Sequence, residues 1–246
     1  MESNLNKVAL ITGGSRGIGA SIVRKLAKEG ITVAFTYANS RNRAEELVNE
    51  IQNSGGKAYA IQANAENVNT TKEAVEKTIE KFGRINILIN NAGIFEYKMY
   101  DEATIEDFDR MVAVNVRSVF EGVQAVAPQM SEGDRIITIG SANANVAAFP
   151  GISLYAMSKA ALAGMIRGLA RDLAPKGITV NNVQPGPVDT ELNPADNPHA
   201  KLVKELIALG RYGKATEIAD LVAFLSSEHS SFITGASIDI NGGFMI

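Results

Sequence analysis

Cysteine is absent from the 246 residues, which excludes disulfides, thiolate metal sites and a cysteine nucleophile and fits a reducing, cytoplasmic setting. Histidine occurs only at His199 and His229. These two share no metal-ligand spacing with each other or with a carboxylate pair, so both read as surface residues and no metal is expected. Long apolar runs are missing as well, none approaching the ~20 residues of a membrane helix. The opening Met-Glu-Ser-Asn-Leu-Asn lacks the basic and then apolar stretches of a signal peptide, so neither export nor a membrane span is expected. No charge of one sign dominates: 24 Lys and Arg stand against 27 Asp and Glu, and without a basic excess to neutralise phosphates, nucleic acid is not expected as a partner.

What is present is a globular composition, 46% hydrophobic with 22 glycines, enough to bury a core without staples. Apolar runs of strand length alternate with longer stretches of helical period, the pattern of βαβ units. Strands are expected at 7–12, 31–36, 57–62, 85–89, 135–139, 178–183 and 236–240, and helices at 17–29, 41–53, 70–82, 104–129, 154–174 and 215–227. Strands such as INILI and RIITI are apolar on both faces, which suits a parallel sheet between helix layers. The expected fold is α/β: a doubly wound, seven-stranded parallel sheet with helices on both faces, as one domain over 1–246. A barrel would need eight strands and a late phosphate site, whereas the glycine-rich turn here follows the first strand. The proline-rich stretch at 187–210 reads as an irregular substrate loop over the strand ends.

That turn is Thr12-Gly13-Gly14-Ser15-Arg16-Gly17-Ile18-Gly19. Glycine permits a sharp turn and close approach of a pyrophosphate, and the following helix N-terminus offers free N–H groups. It is not a P-loop, because no Lys-Ser/Thr follows the last glycine. After the second strand comes Tyr37-Ala38-Asn39-Ser40-Arg41, with no carboxylate to bind ribose hydroxyls and repel a 2′-phosphate. With Arg16 and Arg41 nearby, the phosphorylated cofactor NADP(H) is favoured over NAD.

Among the tyrosines only Tyr155 has a lysine four residues on, Lys159, and i, i+4 share a helix face. A neighbouring ammonium favours phenolate, so the pair suits acid/base work and the tyrosine pKa is expected to fall. Ser141 follows a parallel strand, where ligands sit in open α/β sheets, and its hydroxyl suits a carbonyl oxygen.

Taken together, TGGSRGIG, Asn90-Asn91-Ala92-Gly93, Asn115, Ser141, Tyr155-Ala156-Met157-Ser158-Lys159 and Pro185-Gly186 run in one order through the chain, which resembles the short-chain dehydrogenase/reductase family with its Rossmann fold. The resemblance implies that Tyr155 protonates a ketone oxygen as hydride arrives, Ser141 polarises that oxygen, Lys159 binds the nicotinamide ribose, and Asn115 supports a proton relay. It implies cofactor contacts from Gly13, Ser15, Arg16, Gly17, Ile18, Gly19, Asn39, Ser40 and Arg41, and from Asn64 and Ala65, which stand where the family usually has Asp-Val. It further implies contacts from Asn91, Ala92, Gly93, Tyr155, Lys159, Pro185, Gly186, Val188 and Thr190, with the last two at the carboxamide. The Ser141-to-Tyr155 spacing is one position longer than usual in the family, which leaves Asn143 and Asn145 as either substrate-facing or loop-stabilising amides. C-terminal segments around Arg211-Tyr212-Gly213 and Asn241-Gly242-Gly243 imply a homotetramer.

The activity so implied is ketone reduction on a small-molecule carbonyl. The alternative is a 3-oxoacyl-[acyl-carrier-protein] reductase, in which an acyl carrier protein docks on a basic surface near Lys176. The acidic segment Ser131-Glu132-Gly133-Asp134 counts against that docking. A non-catalytic nucleotide-binding regulator is the further alternative.

Overall fold

The structure is a computed structural model and describes residues 7–244. The N-terminal stretch Met1–Asn6, read above for targeting signals, lies outside the described residues. In chain order the elements are β1 (Val8–Ile11), α1 (Gly17–Lys28), β2 (Thr32–Tyr37), α2 (Arg41–Asn53), β3 (Ala58–Gln62), α3 (Thr70–Phe82) and β4 (Ile87–Asn90). There follow α4 (Ile105–Val112), α5 (Ser118–Val126), β5 (Arg135–Ile139), α6 (Ser153–Leu173), β6 (Thr179–Pro185), β7 (Val188–Asp189), α7 (Ala200–Glu205), β8 (Gly213–Lys214), α8 (Ala215–Ser226) and β9 (Ser237–Ile240).

Seven parallel strands form one sheet in the order β3-β2-β1-β4-β5-β6-β9. The chain lays down β1 to β3 in one direction and then returns to place β4 on the other side of β1. The carboxyl ends of β1 and β4 therefore flank the switch point where open α/β sheets bind ligands.

The strand periodicity of two sorts the core onto the two faces of the sheet. Ala9 and Ile11 of β1, Ile87 and Ile89 of β4 and Ile137 of β5 join Ile22, Leu26, Leu47 and Val222 of α1, α2 and α8. The intervening Leu10, Leu88 and Ile136 join Val75, Val123 and Ile166 of α3, α5 and α6. Each such aliphatic side chain, fully buried, contributes roughly 1.5–3 kcal/mol of transfer free energy.

Two expectations are corrected. The single helix expected over 104–129 is interrupted: α4 gives way to a π-helical stretch, Ala113–Arg117, before α5 begins. A single wider turn adds about one residue to the repeat, a slip that ordinary scatter in apolar spacing hides. The irregular loop carries regular structure too, since β7 pairs in parallel with β8, Thr190 bridges Asn193, and α7 follows. Two-residue strands are too short to show a period. A third cluster, Ala142, Ala200, Ile207, Tyr212 and Phe244, with Val146 and Val203 packed on it, seats α7 against the loop that carries Ser141.

Candidate active site

The glycine turn has the shape its sequence calls for. Gly13 adopts φ +67°, and a Cβ there would stand 3.0 Å from Ala92 Cα. A Cβ on Gly19 would collide with the Gly13 carbonyl oxygen. These contacts bring the turn against Asn91-Ala92-Gly93, the segment after β4.

Thr12 and Thr36, which the sequence reading did not single out, lock the two together. Thr12 Oγ1 accepts from the N–H groups of Asn91 and Ala92, both at 3.0 Å, while Asn91 Nδ2 donates to the carbonyls of Thr12 and Gly13, both at 2.9 Å. Thr36 Oγ1 accepts from the Gly13 N–H at 2.9 Å. Thr12 heads the quoted turn and Thr36 ends the second strand, but a threonine's hydrogen-bond partners give no sequence signal, which is why neither role was read.

The residues present fit a phosphate-bearing dinucleotide. Helix α1 starts at Gly17 and Ile18 with no side-chain cap from Arg16, so its first N–H groups are offered outward, whereas α4 is closed by a Thr104/Asp107 capping box. Ser15 and Ser40 meet hydroxyl to hydroxyl at 2.7 Å, tying the turn to the start of α2. Beyond them lies a depression of about 560 Å³ lined by Ala38, Asn39, Gln62, Ala63, Asn64 and Lys77. Asn64 is fixed there by its Oδ1, which accepts from the Glu66 N–H at 3.1 Å, while the half-buried Ala65 is not among the residues lining the depression.

Of the expected cations, exposed Arg41 pairs with Glu45 at 2.8 Å, while Arg16 has no ion-pair partner among the described residues. On the far side of the mouth, Gly186 N–H donates to the Ile240 carbonyl at 3.2 Å. Buried Pro185 and Val188 and partly buried Thr190 lead into the loop from there.

The residues expected to form an acid/base group, Tyr155, Lys159 and Asn115, stand on α6 and the π-helical stretch. Lys159 is buried, its Nζ donating to the Ile139 carbonyl at 3.0 Å and lying 5.7 Å from the Tyr155 ring centre. A Cβ on Gly93 would meet both Lys159 Nζ, at 3.5 Å, and Asn115 Oδ1, at 3.3 Å, so these two side chains converge on the Gly93 backbone.

Asn115 is fully buried and clamps Ile94, accepting from its N–H at 2.8 Å and donating to its carbonyl at 3.0 Å. Its Nδ2 also donates to Ser158 Oγ at 3.0 Å, and that hydroxyl donates to the Tyr155 carbonyl at 2.7 Å. Ser158 thus links the asparagine to the helix turn that carries the tyrosine, a role the sequence motif did not announce.

Ser141 caps a short 3₁₀ turn, its Oγ accepting from the Asn143 N–H at 3.1 Å. Its carbonyl is held at 3.2 Å by the amide of Gln184, a buried polar residue of β6, and Asn145 Nδ2 reaches Gln184 Oε1 at 3.4 Å. Asn145 is therefore loop-stabilising. The Phe95 ring stands edge-on to the Tyr155 ring, centres 4.9 Å apart, and is itself more than half exposed.

The electrostatics revise one expectation. Burial lowers Lys159 to about 8, because desolvation disfavours the ammonium. Burial also raises Tyr155 above the ordinary phenol value, with the Ser141 hydroxyl acting in the opposite direction. The expected lowering of the tyrosine by its lysine neighbour is not what this arrangement produces. Desolvation outweighs the Ser141 hydrogen bond, and a protonated phenol at neutral pH is a donor, the form that reducing a carbonyl requires.

A second revision concerns the acidic segment before β5. Asp134 is buried and accepts from Arg84 at 2.7 Å, Asn86 at 3.0 Å and the Ser131 N–H at 2.9 Å, so it is a structural acid. Lys176, offered as a docking cation, donates its Nζ to the Ala127 carbonyl near the end of α5. Both histidines are exposed, on separate elements.

With this geometry in hand, the likenesses of the chain are informative. A family model described as enoyl-(acyl carrier protein) reductase matches residues 13–245. A short-chain dehydrogenase/reductase from Serratia marcescens BCRC 10948 superimposes with a TM-score of 0.96 at 52% identity over 98% of both chains. A short-chain dehydrogenase from Burkholderia cenocepacia J2315, solved in complex with NADP, does so with a TM-score of 0.96 at 46% identity, again over 98% of both. The cyclic-di-GMP-binding biofilm dispersal mediator protein of Escherichia coli K12 is 42% identical over 99% of each chain. The 3-oxoacyl-[acyl-carrier-protein] reductase FabG of Staphylococcus epidermidis RP62A is 39% identical over 97% of this chain and 99% of its own.

Proposed function

The chain belongs to the short-chain dehydrogenase/reductase family, and on that premise we propose that it is an NADP(H)-dependent oxidoreductase that reduces a small-molecule ketone to a secondary alcohol. The observation that carries this reading is the convergence of Asn115 and buried Lys159 on the Gly93 backbone, with Ser158 linking Asn115 to the helix turn of Tyr155. A bound nicotinamide dinucleotide supplies the hydride. Tyr155 supplies the proton from its protonated phenol to the carbonyl oxygen, and Ser141 donates to that oxygen as negative charge builds there. Lys159 meets the ribose, and Asn115 with Ser158 keeps the tyrosine turn in register. Arg16 and Arg41 take the 2′-phosphate, as the absence of a carboxylate after β2 supports, and the Burkholderia relative's NADP is consistent with that choice.

The likeness to FabG supports a carrier-bound thioester as the alternative substrate, but exposed Glu132 packs against Gly177, next to exposed Lys176, and its charge counts against an acidic carrier there. The E. coli relative's name supports a nucleotide-binding regulator, a role that requires no intact Ser141, Tyr155, Lys159 and Asn115 set. We propose a cytoplasmic homotetramer; no helix among the described residues is long and apolar enough to cross a membrane. Ile105, Phe108 and Phe120 on α4 and α5 and fully exposed Phe232 are apolar surface that assembly would cover.

The deciding experiment follows NADPH loss with small diketones and with an acetoacetyl thioester, on the unmutated protein and on Tyr155→Phe. Diketone turnover abolished by the substitution is the expected result. Turnover of the thioester alone would select the carrier-protein reading, and unchanged turnover in Tyr155→Phe would remove the tyrosine from its role.

A further inference from the structure

The substrate loop reaches back onto the phosphate turn at one place. Directly after Thr190, the carboxylate of Glu191 lies 3.8 Å from where a Cβ on Gly17, the first residue of α1, would stand, and Thr190 Cγ2 lies 3.5 Å from the same point. Glu191 Oε1 is also 3.8 Å from Arg43 Nη1, both side chains being about half exposed. The nearby Arg24 guanidinium feels the same carboxylate, but it is already held by Glu50 through three hydrogen bonds of 2.8–3.0 Å. One acidic side chain of the loop therefore faces the uncapped N-terminus of α1 and Arg43 together. A pyrophosphate seeks the former, and Arg43 lies in the first turn of α2, two residues beyond Arg41, the cation proposed above for a 2′-phosphate.

We infer that Glu191 competes with the cofactor's phosphate groups for these positive surroundings and so determines cofactor affinity and part of the preference for the 2′-phosphorylated form. The inference rests on the dinucleotide reading above and extends it to a residue that motif matching passes over. Physically the competition is unequal. A half-exposed carboxylate at 3.8 Å from a guanidinium is weakly held, whereas a phosphate brings more charge to the same place. The cofactor displaces Glu191 at a modest cost, and the side chain, standing on the loop, is free to swing outward. Because α1's N-terminus serves any dinucleotide and Arg43 favours a 2′-phosphate, removing the carboxylate has two separable effects.

The test measures dissociation constants of NADPH and NADH by fluorescence or calorimetry for the unmutated protein, Glu191→Gln, Arg43→Ala and the double variant. In Glu191→Gln, NADH is expected to tighten about threefold and NADPH about tenfold, a range set by like-charge repulsion across a few ångströms of partly solvated space. In the double variant the common threefold gain remains and the additional NADPH gain disappears. Glu191→Asp, which keeps the charge on a shorter stem, is expected to fall between the two. Unchanged or weakened binding of both dinucleotides in Glu191→Gln, when the unmutated protein binds them, overturns this inference alone. Failure of the unmutated protein to bind either one overturns the dinucleotide reading and this inference with it.

Discussion

In the proposed reading Lys159 is the residue at which function and stability oppose each other, and the conflict is measurable. It is buried, it donates to the Ile139 carbonyl at 3.0 Å, and burial brings it from an ordinary 10.5 to about 8. Below about 8 the folded protein carries a charged, desolvated ammonium. Between about 8 and 10.5 the unfolded chain binds the proton while the folded one sheds it. Stability therefore rises with pH across that window, and the penalty is largest at neutral pH. The difference corresponds to roughly 3 kcal/mol at pH 7 and roughly 1 kcal/mol at pH 9.5.

Replacing Lys159 by Met keeps the stem and removes the charge, while leaving the Ile139 carbonyl unpaired at a cost of about 1 kcal/mol. Lys159→Met is thus expected to be about 2 kcal/mol more stable than the unmutated protein at pH 7 and nearly equal to it at pH 9.5, while losing turnover. Urea unfolding at the two pH values, without cofactor, reads this directly. A gain independent of pH, or a loss at pH 7, would refute the desolvation argument.

Other consequences follow from named contacts. Asp134→Ala strips three donors of their buried acceptor and is expected to destabilise the fold by about 2–3 kcal/mol, seen as a lowered urea midpoint with unchanged slope. Arg16→Ala is expected to weaken NADPH severalfold and NADH little, because a guanidinium suits a 2′-phosphate and Arg16 has no ion-pair partner among the described residues; equal weakening of both would remove Arg16 from the 2′-phosphate. Hydrogen exchange across 190–210 is expected to slow when cofactor and substrate bind, since α7 rests on the Ser141 loop through a small apolar cluster. Identical exchange in both states would show that the loop is not a lid.

Much of the fold was legible because its signals are local. Strands β1, β4 and β5 announce themselves as apolar runs with no polar face, and each lands within two residues of its expected place. Gly13 and Gly19 announce the turn because no other residue fits there, and Tyr155 and Lys159 share a face of α6 by helical spacing alone. The break at Asn115 was not legible. A π-helical turn is selected by what Asn115 clamps, the Ile94 backbone, which lies 21 residues earlier in the chain. Nor was the support given by Thr12, Thr36, Ser158 and Gln184, common polar residues whose meaning comes from partners brought near by the sheet.

The order of motifs and the spacing of apolar residues determine that this chain is a parallel α/β protein with a glycine-rich turn and a Tyr-Lys pair, because periodicity and side-chain type act along the chain. Tertiary structure alone decides protonation and competition. Burial makes Lys159 a weaker base and Tyr155 a weaker acid, conceals Asp134, and carries Glu191 across to Gly17 and Arg43. Desolvation and Coulomb energies depend on distances between residues far apart in sequence, and those distances exist only once the sheet has formed.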